Sequence, residues 1–511
     1  MFFHSAALPS SGFSFKIWTN QFAFGGESET IMETKTSLPL RSKISYGLGA
    51  VGKDMVYMLS ASYVLYYFQD LLGVSAAAMG VILMAARIFD AFNDPLMGVV
   101  VAKTNTRWGR FRPWLLIGTL TNAVVLVLMF AAPPALNGPG LVAYAAVTYI
   151  LWGVTYTMMD IPYWSMIPAF TQGGKEREGL TTLARSCAGV GSAIITIVTM
   201  IAVPALGRMF GGTDAQMIEV IGFKYFAIGV AALFVVFTVL TCINVKEKPD
   251  SEMKATSVGE MLKALVQNDQ AMTVTIAIVL VNGAVYITSN LVIYFFKYDF
   301  GGTGWHGAYT LFNTFGGGVQ ILSMMVLYPL LRKWFTNLKI FYVALGMAAL
   351  GYLALLALAF TSMQNVYLLF IPGFLIFAAN GVLTVLTTVF LANTVDYGEL
   401  KNNRRDESVI FSMQTFVVKL ASGVAIFIAS MALQFLNLKA DADALTEADK
   451  IVDFSATVSM GSRIGLRMVM TLIPIAGLIA AYFYFKKKFI LTDEKSAEIA
   501  EQVRKLHAQQ G

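Results

Sequence analysis

Apolar stretches of about 20 residues recur along almost the whole chain, each long enough to cross a hydrocarbon core of about 30 Å as a helix. Inside such a core a helix satisfies its backbone polar groups within its own segment. Twelve spans are expected, at 46–72, 76–102, 113–133, 140–168, 180–206, 221–244, 271–297, 306–331, 338–361, 365–393, 408–436 and 463–485. Composition agrees. The chain is 57% hydrophobic and 13% charged, against about 45–50% and about 25% for soluble domains. Cys187 and Cys242 are far apart, and there are only three histidines. A disulfide framework, a zinc site and His-cluster chemistry are therefore not expected.

The loops alternate in charge. Lys103, Arg107, Arg110 and Arg112 follow the second span, and Lys175 and Arg177 the fourth. Lys246, Lys248 and Lys254 follow the sixth, Arg332 and Lys333 the eighth, and Lys401, Arg404 and Arg405 the tenth. The loops near 70–75, 133–139 and 362–364 have no Lys or Arg. Both termini are then expected on the cytoplasmic side of the cell (inner) membrane, as an even number of spans requires. This distribution also accounts for the formal charge of +6 without a nucleic-acid partner.

The longest hydrophilic gap, 246–270, separates six spans from six. The expected division is an N-terminal extension at 1–41, a half at 42–245, a cytoplasmic loop at 246–270, a second half at 271–487 and a cytoplasmic tail at 488–511. This is an all-α membrane protein with the architecture of major facilitator transporters. The basic loop GVVVAKTNTRWGRFRPW (98–114) has a degenerate counterpart in LRKWFTNLK (331–339), in keeping with an internal repeat. Residues 1–31 lack a signal-peptide core. Met32 opens the basic segment METKTSLPLRSKISYG and is the expected start.

Lys53, Asp54, Arg87, Asp90, Asp94, Asp160, Arg185 and Lys419 fall inside spans. Each costs roughly 2.5–3.5 kcal/mol at mid-membrane if unpaired. They must pair, face a polar cavity, or both. Asp90 and Asp94 lie one helical turn apart on one face, with Asn93 beside them. Two ionised carboxylates there need a positive neighbour. Sodium, lithium or a proton would serve, since hard cations take oxygen ligands; so would the Lys419 ammonium. Pro95 removes one backbone bond next to them. In the fourth span Tyr156, Thr157, Asp160 and Trp164 share helical spacing. Asp160 can accept from sugar hydroxyls, Trp164 offers an apolar face to a pyranose, and Thr157 can complete a cation shell. Glycines, including the run 316–318, are read mainly as helix-packing positions.

These residues lie in long motifs: YGLGAVGKD (46–54), ARIFDAFNDPLMG (86–98), TRWGRFRPWLLIGTLTN (106–122), TYILWGVTYTMMDIPYWSMIP (148–168), NTVDYGELKNNRRDES (393–408) and SMQTFVVK (412–419). From about residue 42 to the last span the chain resembles the glycoside–pentoside–hexuronide:cation symporters, and among them the melibiose carrier. The resemblance implies that Lys53, Asp54, Asp160, Trp164 and Arg185 bind sugar. It implies that Asp90, Asn93, Asp94 and Thr157 hold the coupling cation, with Lys419 close by. Thr384, Ala61 and Asn393 depart from the melibiose carrier's pattern and bear on which sugar is taken.

The expected activity is sodium-coupled import of a glycoside, an α-galactoside such as melibiose, by alternating access. No cofactor beyond the coupling ion, no catalysis and a monomer are expected. Ion pairs between Arg107, Arg110 and Arg112 and the segment holding Asp396, Glu399 and Arg405 are expected to close the cytoplasmic side. The alternatives are a proton-coupled carrier of another glycoside or pentoside, and a lysolipid carrier. A membrane-embedded enzyme would need a catalytic domain outside the spans, and a sensor a signalling domain. The sequence contains neither.

Overall fold

The structure, a computed structural model, describes residues 38–171, 173–247, 258–361, 365–402, 405–438 and 453–510. The expected start at Met32 lies outside them. The first half has six long helices: α1 Leu40–Leu65, α2 Ala76–Lys103, α3 Arg112–Met129, α4 Gly138–Phe170, α5 Gly174–Met209 and α6 Ala215–Asn244. A short helix, α7 Val258–Gln267, precedes the second half. There follow α8 Asp269–Tyr294, α9 Trp305–Leu322 continuing into α10 Tyr328–Arg332, α11 Asn337–Thr361, α12 Val366–Asn402, α13 Glu407–Phe435 and α14 Met460–Lys488. A polar helix, α15 Asp493–Gln510, ends the chain.

Among the described residues ten helices are long and apolar enough to cross a membrane. They correspond to the third to twelfth expected spans. The first two expected spans are α1, which carries Lys53 and Asp54, and α2, which carries Arg87, Asp90 and Asp94. Pro95 lies within α2, which continues through it. The tenth expected span is too short by nine residues, because α12 runs to Asn402 rather than 393. Those last turns are polar in sequence, yet Asp396 and Glu399 are buried.

The halves repeat each other in more than helix number. A turn of π-helix, Tyr66–Leu71, extends α1, and another, Phe295–Phe300, extends α8. The segments VLYYFQDLLG (64–73) and VIYFFKYDFG (292–301) align residue for residue. Each ends on a glycine with positive φ, +75° at Gly73 and +69° at Gly301, a conformation that side chains disfavour. The acid that follows the last helix of each half also caps that half's third helix. The Glu247 carboxylate accepts from the backbone N–H of Arg110, Phe111 and Arg112 at 2.6, 3.0 and 2.8 Å. Asp493 accepts from the Asn337 N–H at 3.2 Å. Both satisfy amides that a helix start leaves without partners.

Candidate functional site

A cavity of about 460 Å³ lies between the halves. All eight charged residues expected within spans line it: Lys53, Asp54, Arg87, Asp90, Asp94, Asp160, Arg185 and Lys419. At full ionisation these are four cations and four anions. The helices therefore resolve the insertion cost by both routes, with charges that pair and face a shared polar space.

On one flank α1, α4 and α5 meet. The Lys53 ammonium lies 2.8 Å from Asp160 Oδ1 and 3.2 Å from Asp54 Oδ2. It also donates to the Tyr156 hydroxyl at 3.1 Å. Trp164 Nε1 donates to Asp160 Oδ1 at 3.1 Å, which fixes the indole. Two cations approach its ring: Lys53 Nζ lies 5.1 Å and the Arg185 guanidinium carbon 3.8 Å from the centroid, within cation–π range. Asp54 Oδ2 is buried and makes no hydrogen bond among the described residues. It has a lone pair to offer a ligand hydroxyl. Behind this flank Tyr46 and Tyr163 stack at 4.4 Å, which locks α1 against α4.

On the other flank α2, α4 and α13 meet. Lys419 Nζ lies 2.9 Å from both Asp94 oxygens and 3.5 Å from Asp90 Oδ2. Thr157 Oγ1 donates to Asp94 Oδ1 at 2.9 Å. The carboxylate repulsion read in the sequence is thus relieved by the lysine. Asn93 Nδ2 is buried without a partner among the described residues. Amide and carboxylate oxygens with a threonine hydroxyl form a hard-donor set, of the kind that suits an alkali cation. Among the described residues, no group of three or more His, Cys, Asp or Glu side chains is placed to hold a metal.

One helix serves both flanks. Thr157 and Asp160 are three residues apart on α4, so they share its face. Gly153, one turn before Thr157, belongs to the same stripe. A Cβ there would come within 2.5 Å of Asp90 Oδ1. Gly153 lets the carboxylate press against α4, and sequence reading did not single it out. Its spacing of four from Thr157 was the available signal.

The end of the bundle that carries α15 is sealed. Arg177, at the start of α5 and 1% exposed, reaches across to α12. Its Nη1 lies 2.7 Å from Asp396 Oδ2 and donates to Ala392 O and Asn393 Oδ1, both at 3.1 Å. Arg405 pairs with Glu399 at 2.6 Å, with Asp396 at 3.3 Å and with Glu407, and donates to Pro168 O at 2.8 Å. Burial alone would lower its pKa. The carboxylates of Glu407, Asp396 and Glu399 outweigh burial and raise it. Arg332 joins Glu178 at 2.7 Å and Asp493 at 2.7 Å. His507 of α15 contacts Glu399.

Asp396, Glu399 and Arg405 meet one another rather than the basic loop expected to pair with them, and their partners across the halves are Arg177 and Pro168. Arg107, Arg110 and Arg112 lie elsewhere. Arg112 sits 3.8 Å from Glu247 of its own half, Arg110 meets Glu247 through its backbone N–H, and Arg107 is exposed. The reason is local, since their loop is used to cap α3. From the cavity toward the sealed end, residues 161–168 of α4 and 407–413 of α13 are all buried. Away from it, Ala61 and Ile426 line the cavity and are exposed.

A family model described as MFS/sugar transport protein matches residues 45–487. The chain belongs to that family. It is a multi-pass membrane transporter of the glycoside–pentoside–hexuronide symporter type, not an enzyme. Its relatives include the inner membrane symporter YicJ of Escherichia coli (strain K12), 27% identical over 91% of this chain and 95% of that protein. The isoprimeverose transporter of Lactiplantibacillus pentosus is 29% identical over 76% and 79%. The lactose permease of Lactobacillus delbrueckii subsp. bulgaricus is 27% identical over 91% and 72%. The crystal structure of the major facilitator transporter FucP in the outward conformation shares the fold, with a TM-score of 0.61, 14% identity and coverage of 87% of this chain and 97% of that one.

Proposed function

We propose that this sugar symporter couples a monovalent cation, sodium in the first instance, to import of a neutral glycoside across the inner membrane, with both termini cytoplasmic. The observation that carries the reading is α4, which places Thr157 against Asp94 at 2.9 Å and, one turn on, Asp160 against Lys53 at 2.8 Å. In this reading Asp90, Asn93, Asp94 and Thr157 take the cation. Lys53, Asp54, Asp160, Trp164 and Arg185 take the sugar.

A cation entering between Asp90 and Asp94 must compete with the Lys419 ammonium. Lys419 belongs to the second half and both aspartates to the first, so this exchange edits a bond between the halves. It also reseats Thr157, and with it the turn that presents Asp160. Each ligand then raises affinity for the other by an equal factor. The sealed α15 end and the exposed cavity residues at the other end correspond to an outward-open carrier. Arg177, Asp396, Glu399 and Arg405 form its cytoplasmic gate.

An α-galactoside such as melibiose is the first substrate to try, and the motifs shared with the melibiose carrier are the reason. The charged lining argues against a lysolipid. The deciding experiment is labelled-sugar uptake in vesicles against a glycoside panel, with and without sodium. Sodium-stimulated uptake of one neutral glycoside supports the reading. Uptake that follows pH and ignores sodium replaces the coupling ion with a proton. Preference for a glucuronide over every neutral glycoside overturns the substrate class.

A further inference from the structure

A second space of about 160 Å³ lies at the sealed end, lined by Arg177, Asp396 and Arg405 of the proposed gate, by Pro168 of α4 and by Val503 of α15. Two helices of the first half run from the first cavity to this space. On α4, Ile161 lines the first cavity and Pro168 the second space, and Ser165 lies between them, four residues from one and three from the other. On α5, Arg185 lines the first and Arg177 the second, and Thr181 lies midway, four residues from each. Residues so spaced share a helix face.

Both stripes meet the second half. Arg405 donates to Pro168 O at 2.8 Å. Arg177 donates to Ala392 O at 3.1 Å, and Arg185 to Thr388 Oγ1 at 2.9 Å. Thr181 therefore stands between two contacts to α12, on the seam of the halves.

Ser165 and Thr181 are both 0% exposed, and neither hydroxyl makes a hydrogen bond among the described residues. A carbonyl one turn back is within reach of any helical hydroxyl. Thr155, Thr182, Thr199 and Thr471 use it, at 2.8, 2.8, 2.6 and 2.6 Å. Thr182 is the very neighbour of Thr181. An unpartnered buried hydroxyl is destabilising, so alanine and valine would seal this wall better than serine and threonine do. The hydroxyls serve a state in which the wall has parted.

We propose that Ser165 and Thr181 form a release site for the sugar on the cytoplasmic side of Trp164. When the α15 end opens, the seam widens along their stripes, and the sugar passes between the first cavity and the gate. Each hydroxyl both donates and accepts, as each sugar hydroxyl does, so the two can bond a neutral polyol reciprocally. This inference rests on the sugar reading of the first cavity. It gives the two faces of the carrier different contacts with the same sugar, because the release site forms at the cytoplasmic face alone.

The test is half-saturation of transport measured from each face, in right-side-out and inside-out vesicles containing the full-length protein. The probes are labelled melibiose and lactose, with sodium present. The double variant Ser165→Ala, Thr181→Val removes both hydroxyls and nearly keeps their shape. Its half-saturation at the cytoplasmic face is expected to rise about fivefold or more, as loss of two neutral hydrogen bonds would give, and to stay within about twofold at the outer face. Thr181→Ser, which keeps the hydroxyl and loses the methyl, is expected to match the wild type on both faces. The purified double variant is expected to melt no lower than the wild type, since it loses two unpartnered polar groups. An unchanged value at the cytoplasmic face, or an equal rise at both faces, overturns the release site. So does a lower melting temperature, which would mean that the hydroxyls are bonded in the closed state. So does Thr181→Ser shifting as far as the double variant, which would mean that the methyl and not the hydroxyl matters. Wild-type vesicles that transport neither sugar overturn the glycoside reading, and the release site falls with it.

Discussion

The molecule has two ionic clusters that join its halves, and they are built on opposite plans. The cluster at the α15 end uses guanidinium groups, and each engages several acceptors. Arg177 and Arg405 between them engage Asp396, Glu399, Glu407 and three other acceptors on α4 and α12. The mid-depth cluster uses one ammonium, Lys419, shared between Asp90 and Asp94, and leaves the Asn93 amide nitrogen without a partner among the described residues. A forked, planar cation suits a permanent bidentate seal, whereas a point charge on a flexible stem can be exchanged for another point charge. In the proposed mechanism the first cluster is a lock and the second a replaceable pin.

The largest expected effect comes from breaking the lock. Removing one partner of a buried pair costs about 3–5 kcal/mol, a shift of roughly 10²- to 4 × 10³-fold. Arg177→Ala or Arg405→Ala should open the α15 end. Labelling by an impermeant thiol reagent of Ser165→Cys in a cysteine-free background would read this, and unchanged labelling would show that the seal lies elsewhere. Next comes the pin. Asp94→Asn should abolish sodium stimulation, with the apparent sodium affinity falling about 10²-fold, while sugar exchange persists. Sodium dependence identical to the wild type would remove Asp94 from the cation site.

On the other flank, Asp54→Asn weakens hydrogen bonds to a charged acceptor, worth about 1.5–3 kcal/mol. Sugar affinity should fall about 10- to 150-fold and sodium binding should survive, both measurable by calorimetry. Gly153→Ala is a subtler probe. Its new methyl must push Asp90 aside, and overpacking of this kind costs about 1–3 kcal/mol. Sodium affinity should drop more than sugar affinity; an equal drop in both would mean that α4 had shifted as a whole. Arg107→Ala, at an exposed position, should change uptake by less than about 0.5 kcal/mol, or roughly twofold. A large loss would return the basic loop to the gate.

What could be read in the sequence divides along the same line. The cavity residues were legible because a charge inside an apolar run is costly and must be explained. Lys53, Asp54, Asp90, Asp94, Asp160 and Arg185 announced themselves that way, and the structure brings them together. The proposed gate was half legible. Asp396, Glu399 and Arg405 sit in a dense charged motif, but Arg177 and Glu178 look like ordinary residues of a polar loop, and only tertiary contact pairs them across the halves. The repeat is plain in the segments ending at Gly73 and Gly301, and faint in the basic loops, although the third long helix of each half starts against a carboxylate, Glu247 in one and Asp493 in the other.

The balance of charge around the first cavity has an electrical consequence. Four cations and four anions line it, so with all of them ionised the empty carrier holds no net charge there and can reorient without sensing voltage through that site. A carrier loaded with one monovalent cation and a neutral sugar carries one positive charge. A membrane potential of 100 mV, negative inside, acts on that charge with up to about 2.3 kcal/mol. The voltage would then drive the loaded step inward and leave the return step to thermal motion alone.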